Sequence, residues 1–327
     1  MKICIYGAGA IGGLIGTRLA ALGDQEVSAV ARGATLQALQ EKGWRVRKDG
    51  RIQSAPARAS SDPAELGAQD VVVVAVKATA LGDVARRIAP LIGPGTIVVP
   101  AMNGVPWWFM EGVPGALHAP LESVDPGGEI AAAIPVEQVV GCVVHLSTLT
   151  SESGLVEHKS GNRLIIGEPL GGDSDRVVAL AVLLRRAGFD VDVSRNVRLD
   201  IWYKLWGNMT MNPISAMTGA TIDRILDDPL ALEFVSSAMR EAQQVGARIG
   251  CTIDESPDDR HVVTRKLGAF KSSMLQDVEA GRAIELDALV TVVRELALRL
   301  GVETPSIDAL LGLTRVFARV KGLYPQA

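Results

Sequence analysis

The chain has 327 residues, 48% of them hydrophobic and 21% charged, with a net charge of −4. That balance belongs to a packed globular protein of one large or two ordinary domains and excludes a disordered chain. A slightly acidic total gives no electrostatic grip on nucleic acid or on an anionic membrane surface.

In chain order, residues 2–6 (KICIY) form a short apolar run that meets glycines at once, and a helical pattern follows over about 10–22. VSAVA (27–31) reads as a second strand and 34–42 as a second helix. Such strand–helix alternation points to a parallel sheet. VVVVAV (71–76) is apolar on both faces, as a central parallel strand should be, and a helix near 80–91 and the strand TIVVP (96–100) continue the alternation. After a Gly/Pro-rich stretch (112–128), strand-like runs near 139–148, 154–159 and 163–167 either extend the sheet or form an antiparallel annex. EPLGGDSD (168–175) is a turn-rich boundary, followed by one more helix–strand pair at about 175–194. Beyond Asn196 the pattern is helical, at about 197–212, 229–250, 258–279, 284–300 and 306–321. The expected fold is α/β: a parallel-sheet domain over 1–172, then a mainly helical domain over 173–327.

Three scattered cysteines, Cys4, Cys142 and Cys251, lie among apolar neighbours and read as core thiols of a reducing compartment. The histidines His118, His145, His158 and His261 show no metal-ligand spacing, so no metal is expected. No run approaches the ~18 apolar residues that span a bilayer, and no basic segment precedes an apolar one at the start. The expectation is a cytoplasmic protein that acts without membrane or nucleic acid.

G-x-G-x-x-G occurs at Gly7, Gly9 and Gly12, directly after a strand and opening a helix, the context in which this pattern binds a dinucleotide. Gly7 allows the tight turn, Gly9 lets a pyrophosphate approach the backbone, and Gly12 lets helix and strand pack closely. With Ala8, Ala10 and Ile11 these residues form the expected cofactor loop. An NAD-type site has an acidic residue at the end of the second strand. Here that strand ends in Ala31-Arg32-Gly33, and no Asp or Glu occurs between Val27 and Gln40. An Arg at that point suits a 2′-phosphate, so the expected cofactor is NADP(H), with Arg32 on the phosphate; the alternative is an Arg that is merely exposed. Lys77 and Asn103 follow the strands at 71–76 and 96–100. Either alone suits a solvated strand end or an ordinary turn. At neighbouring strand ends beside a glycine loop they suit the lining of a cofactor crevice.

IWYKLWGNMTMNP (201–213) is apolar on nearly every side of a helix, apart from Lys204, Asn208 and Asn212. Four-residue spacing puts these three on one slowly drifting face. A helix apolar nearly all round is buried, and a buried ammonium needs a polar surrounding, so the stripe is expected to face polar groups. Pro213 is expected to end or kink the helix. A Lys partly desolvated by two Trp and a Tyr suits a general acid that protonates a ketone oxygen as hydride arrives. KSSMLQDVEAGRAIELD (271–287) adds Ser272, Ser273, Arg282, Glu285 and Asp287. Glu285 is either a simple match to a helix dipole or the carboxylate that orients a catalytic Lys.

These motifs together, with GAGAIGG at the start, Asn103-Gly104, W-x-K-L-x-x-N-x-x-x-N-P over 202–213 and S-S-M-L-Q-D…R-x-x-E-x-D over 272–287, resemble the ketopantoate reductase family across nearly the whole chain. The resemblance implies a Rossmann domain and a helical domain with the active site between them, and NADPH-dependent reduction of 2-dehydropantoate in pantothenate biosynthesis. It implies Lys204 as general acid and Glu285 as the residue that positions it. Asn208, Asn212 and Ser273 would hold substrate, with Lys77 and Asn103 in the crevice. The sequence departs from the family's pattern at Gly219-Ala220-Thr221-Ile222, where a further substrate-contacting Asn is often found, and at the paired Trp107 and Trp108, which could reshape the pocket. Alternatives are a reductase of another branched or aromatic 2-oxo acid and a nucleotide-binding protein without turnover. The oligomeric state is left open, with a homodimer compatible.

Overall fold

A computed structural model describes residues 1–113 and 119–326; His118 lies outside the described residues. The chain forms two compact units, Met1–Asn103 with Gly128–Asp200, and Gly104–Gly127 with Ile201–Ala327.

The first unit opens with β1 (Lys2–Tyr6), α1 (Ala10–Ala20), β2 (Glu26–Val30) and α2 (Gly33–Lys42). Next come β3 (Trp44–Lys48), β4 (Arg51–Ala55), β5 (Arg58–Ser60), β6 (Val71–Val74), α3 (Leu81–Arg87) and β7 (Ile97–Pro100). It closes with α4 (Glu129–Ala133), β8 (Gly141–Glu152), β9 (Leu155–Gly167), α5 (Asp175–Arg186) and β10 (Asp190–Ser194). Five strands form a parallel sheet in the order β5-β2-β1-β6-β7. All four valines of β6 are buried, which is why that strand is apolar on both faces.

A second sheet has the order β10-β9-β3-β4, with β8 paired antiparallel to β9. It settles the open choice at 139–167: these runs form an annex, and 154–159 and 163–167 are one strand, β9. The β3–β4 hairpin was not foreseen. Its charged residues weaken the apolar signal, yet Asp49-Gly50, both at positive φ (49° and 75°), is the dipeptide of a tight hairpin turn. The helix–strand pair at 175–194 belongs to this unit, because β10 pairs in parallel with β9. Helix α1 meets both sheets in one core, with Ile3 and Ile5 of β1, Leu14 and Leu19 of α1, and Trp44 and Val156 of the second sheet. Its glycines permit that approach: a Cβ on Gly16 would come within 2.4 Å of the Trp44 ring, and one on Gly13 within 2.5 Å of Val156.

The second unit is helical. α6 (Val197–Thr218) enters it from the first, followed by α7 (Ile222–Asp227), α8 (Pro229–Arg248) and α9 (Pro257–Arg265). α10 (Ser273–Glu279), a π-turn at Asp287–Thr291, α11 (Val292–Leu300) and α12 (Pro305–Val320) complete it. Two expectations are corrected. The helix expected over 258–279 is broken at Gly268 (φ 62°) and restarts where the Ser272 hydroxyl accepts from the Leu275 N–H at 3.1 Å. α6 does not end at Pro213 but runs on to Thr218. Proline costs this helix one backbone bond, while Met209, Met211, Ile214 and Ala216 are all buried around it, and that packing outweighs the loss.

Among the described residues no helix is long and apolar enough to cross a membrane, and no cluster of His, Cys, Asp and Glu could hold a metal ion. All three cysteines are buried free thiols.

Candidate active site

The carboxyl edge of the parallel sheet gathers four of the predicted positions. Gly7 follows β1, Arg32 follows β2, Lys77 follows β6 and Asn103 follows β7. At Gly7 (φ 97°) a Cβ would lie 2.6 Å from Val76 Cγ1 and 2.8 Å from the Ala75 carbonyl oxygen, so the loop turns tightly against the residues before Lys77. On Gly12 a Cβ would sit 2.1 Å from the Gly7 carbonyl oxygen. Gly9 is different: it is exposed, its φ is −77°, and a Cβ there would meet nothing within 4 Å. The fold itself therefore has no steric need for glycine at position 9, whereas a ligand pressed on the backbone does. Gly9 also caps α1 with no side chain, leaving the first-turn N–H groups at Ala10 and Ile11 without a capping acceptor. The loop fits a pyrophosphate.

Arg32 is exposed at the start of α2, with its Nη1 3.0 Å from Asp83 Oδ2 of α3; Arg86 approaches the other oxygen of the same carboxylate at 3.5 Å. Arg87 of α3 donates to the Ser61 carbonyl at 2.7 Å. Two arginines thus share one acid beyond β2, with Arg87 on the same helix as Arg86 and Asp83. Tyr6, which the sequence reading passed over, lies among these charges. It is buried, its hydroxyl has no hydrogen-bond partner among the described residues, and burial pushes its phenol up, with Arg87 opposing that shift. The available signal was a hydroxyl-bearing aromatic in an otherwise aliphatic strand just before Gly7. Lys77 is exposed and Asn103 half-buried.

In the second unit, α6 is buried except along one side. Tyr203, Lys204, Gly207 and Asn208 are half-buried there, and Asn212 is 6% exposed. Amides such as Asn208 and Asn212 require hydrogen-bond partners wherever they are buried. The rest of α6 is anchored firmly. Trp206 Nε1 donates to the Met239 carbonyl at 2.8 Å, and Trp202 stacks on Phe109 with ring centroids 5.9 Å apart. Tyr203 donates to Glu255 at 2.7 Å beneath the Arg260 guanidinium, and burial, then that bond to Glu255, pushes its phenol up. Ser273, the first residue of α10, is exposed. Glu285 is 9% exposed, in a stretch with no helix or strand just before the π-turn. At the departure, the Ala220 carbonyl accepts from Ser215 Oγ at 2.7 Å and Gly219 takes φ 73°, so this segment closes α6.

A family model described as Ketopantoate reductase PanE/ApbA matches residues 3–171, and its C-terminal counterpart matches 196–318. The chain belongs to the ketopantoate reductase family. A 2-dehydropantoate 2-reductase of Mesorhizobium japonicum is 45% identical over 325 residues, covering 99% of this chain and 100% of that protein. A crystal structure from Ralstonia solanacearum MolK2, assigned as a ketopantoate reductase, is 56% identical with a TM-score of 0.94, covering 98% of this chain and 99% of the other. A ternary structure of D-mandelate dehydrogenase with NADH and anilino(oxo)acetate shares the fold at 22% identity and TM-score 0.82, covering 99% of this chain and 100% of the other. Ketopantoate reductases are pyridine-nucleotide oxidoreductases, the cofactor class that the open cradle at Gly9 suits.

Proposed function

We propose that this chain reduces 2-dehydropantoate to pantoate with NADPH, and that Lys204 is its general acid. The observation that carries the reading is the half-open side of α6, where one amine and two amides stand in register on an otherwise buried helix. When bound, the reduced nicotinamide supplies the hydride for the ketone carbon. The Gly7–Gly12 loop would hold its pyrophosphate and Arg32, with Arg86 and Arg87 nearby, its 2′-phosphate; Lys77 and Asn103 would line the same strand ends. Lys204 Nζ would hold a proton and release it to the ketone oxygen as negative charge develops there. Asn208, Asn212 and Ser273 would orient the substrate, so that it loses little entropy on the way to the transition state. Glu285 would position the ammonium.

Lys204→Ala tests the role. The variant should bind NADPH with unchanged affinity by fluorescence titration and lose kcat by roughly 10²–10⁴-fold, the usual worth of a general acid. A near-normal kcat removes Lys204 from the chemistry.

A further inference from the structure

Glu285 lies where regular structure gives out: residues 282–286 belong to no helix or strand. Two consecutive residues beyond α12 bracket it. The Leu323 carbonyl accepts from the Ile284 N–H at 3.1 Å, and the Tyr324 hydroxyl donates to Asp287 Oδ1 at 2.5 Å. Ile284 immediately precedes Glu285, and Asp287 is the first residue of the π-turn. Within that turn Thr291 Oγ1 donates to the same Asp287 oxygen at 2.9 Å, and the Leu286 carbonyl receives the Val290 N–H at 2.8 Å. The bracketing residues are themselves held. The Leu323 N–H donates to the Ala318 carbonyl at 2.8 Å, Arg319 Nε donates to the Pro325 carbonyl at 3.0 Å, and the Arg319 guanidinium lies 5.8 Å from the Tyr324 ring centroid.

We infer that the segment Leu323–Tyr324 is a clamp that sets the position of Glu285, and that Tyr324 is a positioning residue for the proton-donor site. The inference rests on the proposed role of Glu285. π-Turns cost backbone geometry and recur at functional sites, where they aim a side chain that a regular helix would misdirect. Here the turn begins two residues after Glu285, and its first residue carries the carboxylate that Tyr324 grips. Burial and the bond to Asp287 push the Tyr324 phenol up to about 12, so it keeps the proton it donates at any ordinary working pH.

Tyr324→Phe removes the donor and keeps the ring. Two readouts test the clamp. Backbone hydrogen exchange over residues 283–291 should accelerate in the variant; unchanged exchange overturns the clamp whether or not the protein turns over any substrate. In steady-state kinetics, kcat should fall roughly ten- to a hundredfold, the scale of a small misplacement of a catalytic group, with NADPH affinity and melting temperature nearly unchanged. Combined with Glu285→Gln, the same change should cause no further loss, because both act through one carboxylate. Losses that multiply in the double variant would show that Tyr324 acts elsewhere and overturn the positioning role. A wild-type protein inert toward all 2-oxo acids would refute the proposed activity and the positioning role with it, leaving exchange to decide the clamp alone.

Discussion

Two glycines of the same motif are kept for opposite reasons. Gly12 is demanded by the protein, since a methyl group there would sit 2.1 Å from the Gly7 carbonyl oxygen. Gly9 is not, since a methyl group would point into open space at an ordinary φ. The same substitution should therefore separate folding from binding. Gly12→Ala is expected to lower the stability of the free protein by about 1–3 kcal/mol, the range for overpacking. Gly9→Ala should melt like the wild type and bind NADPH much more weakly. Thermal melts with and without NADPH check both, and a destabilised Gly9→Ala protein would contradict the reading of that position as a ligand cradle. The spacing of the motif, and the division of labour expected of Gly9 and Gly12, were legible in the sequence; the atoms that crowd Gly12 were not all so, because beside the Gly7 carbonyl and Ile5 stands Ala75, which comes much later in the chain.

At the scale of elements, the α6 stripe was legible because four-residue spacing survives any detail of packing. The continuation of the helix past Pro213 was not, because tertiary burial overrides the local preference of proline. The clamp at Leu323–Tyr324 also escaped, since nothing in the local pattern of 282–287 points to a segment beyond α12. One buried joint between α8 and α9 has a pH consequence. Ser236 Oγ donates to the Leu232 carbonyl at 2.9 Å and lies 2.9 Å from His261 Nε2, so the imidazole is the donor in that contact and carries its proton on Nε2. Nδ1 is buried with no partner among the described residues, and protonating it would put a second N–H where none of them offers an acceptor. Burial pushes His261 below its ordinary 6.5, with Asp258 opposing and Arg265 adding to the shift. Its stabilising contribution is therefore complete above the unfolded value and is lost as pH falls through the lower folded value. Melting temperature should drop more steeply in the wild type than in His261→Gln as pH falls from the unfolded value to the lower folded one; parallel curves would place the acid sensitivity elsewhere.

For the whole molecule, alternating apolar runs and glycines announced a parallel sheet followed by helices, and the chain has both. The second sheet was only half visible. Its long hairpin, β8–β9, is amphipathic enough to read, but β3 and β4 carry arginines and lysine on strands that are partly solvated, which hides their alternation. The candidate site residues Lys204, Asn208, Asn212 and Glu285 stand out against apolar or irregular surroundings whatever the arrangement of strands. What burial adds is that both tryptophans of the 107–108 pair are enclosed. The central claim, an NADPH-dependent reductase of 2-dehydropantoate, is tested most directly by steady-state NADPH consumption across a panel of 2-oxo acids, repeated with NADH. The account predicts the highest kcat/KM for 2-dehydropantoate with NADPH, and a marked loss with NADH because Arg32 then has no 2′-phosphate to meet. No turnover with 2-dehydropantoate, or a higher kcat/KM for another 2-oxo acid, would contradict it.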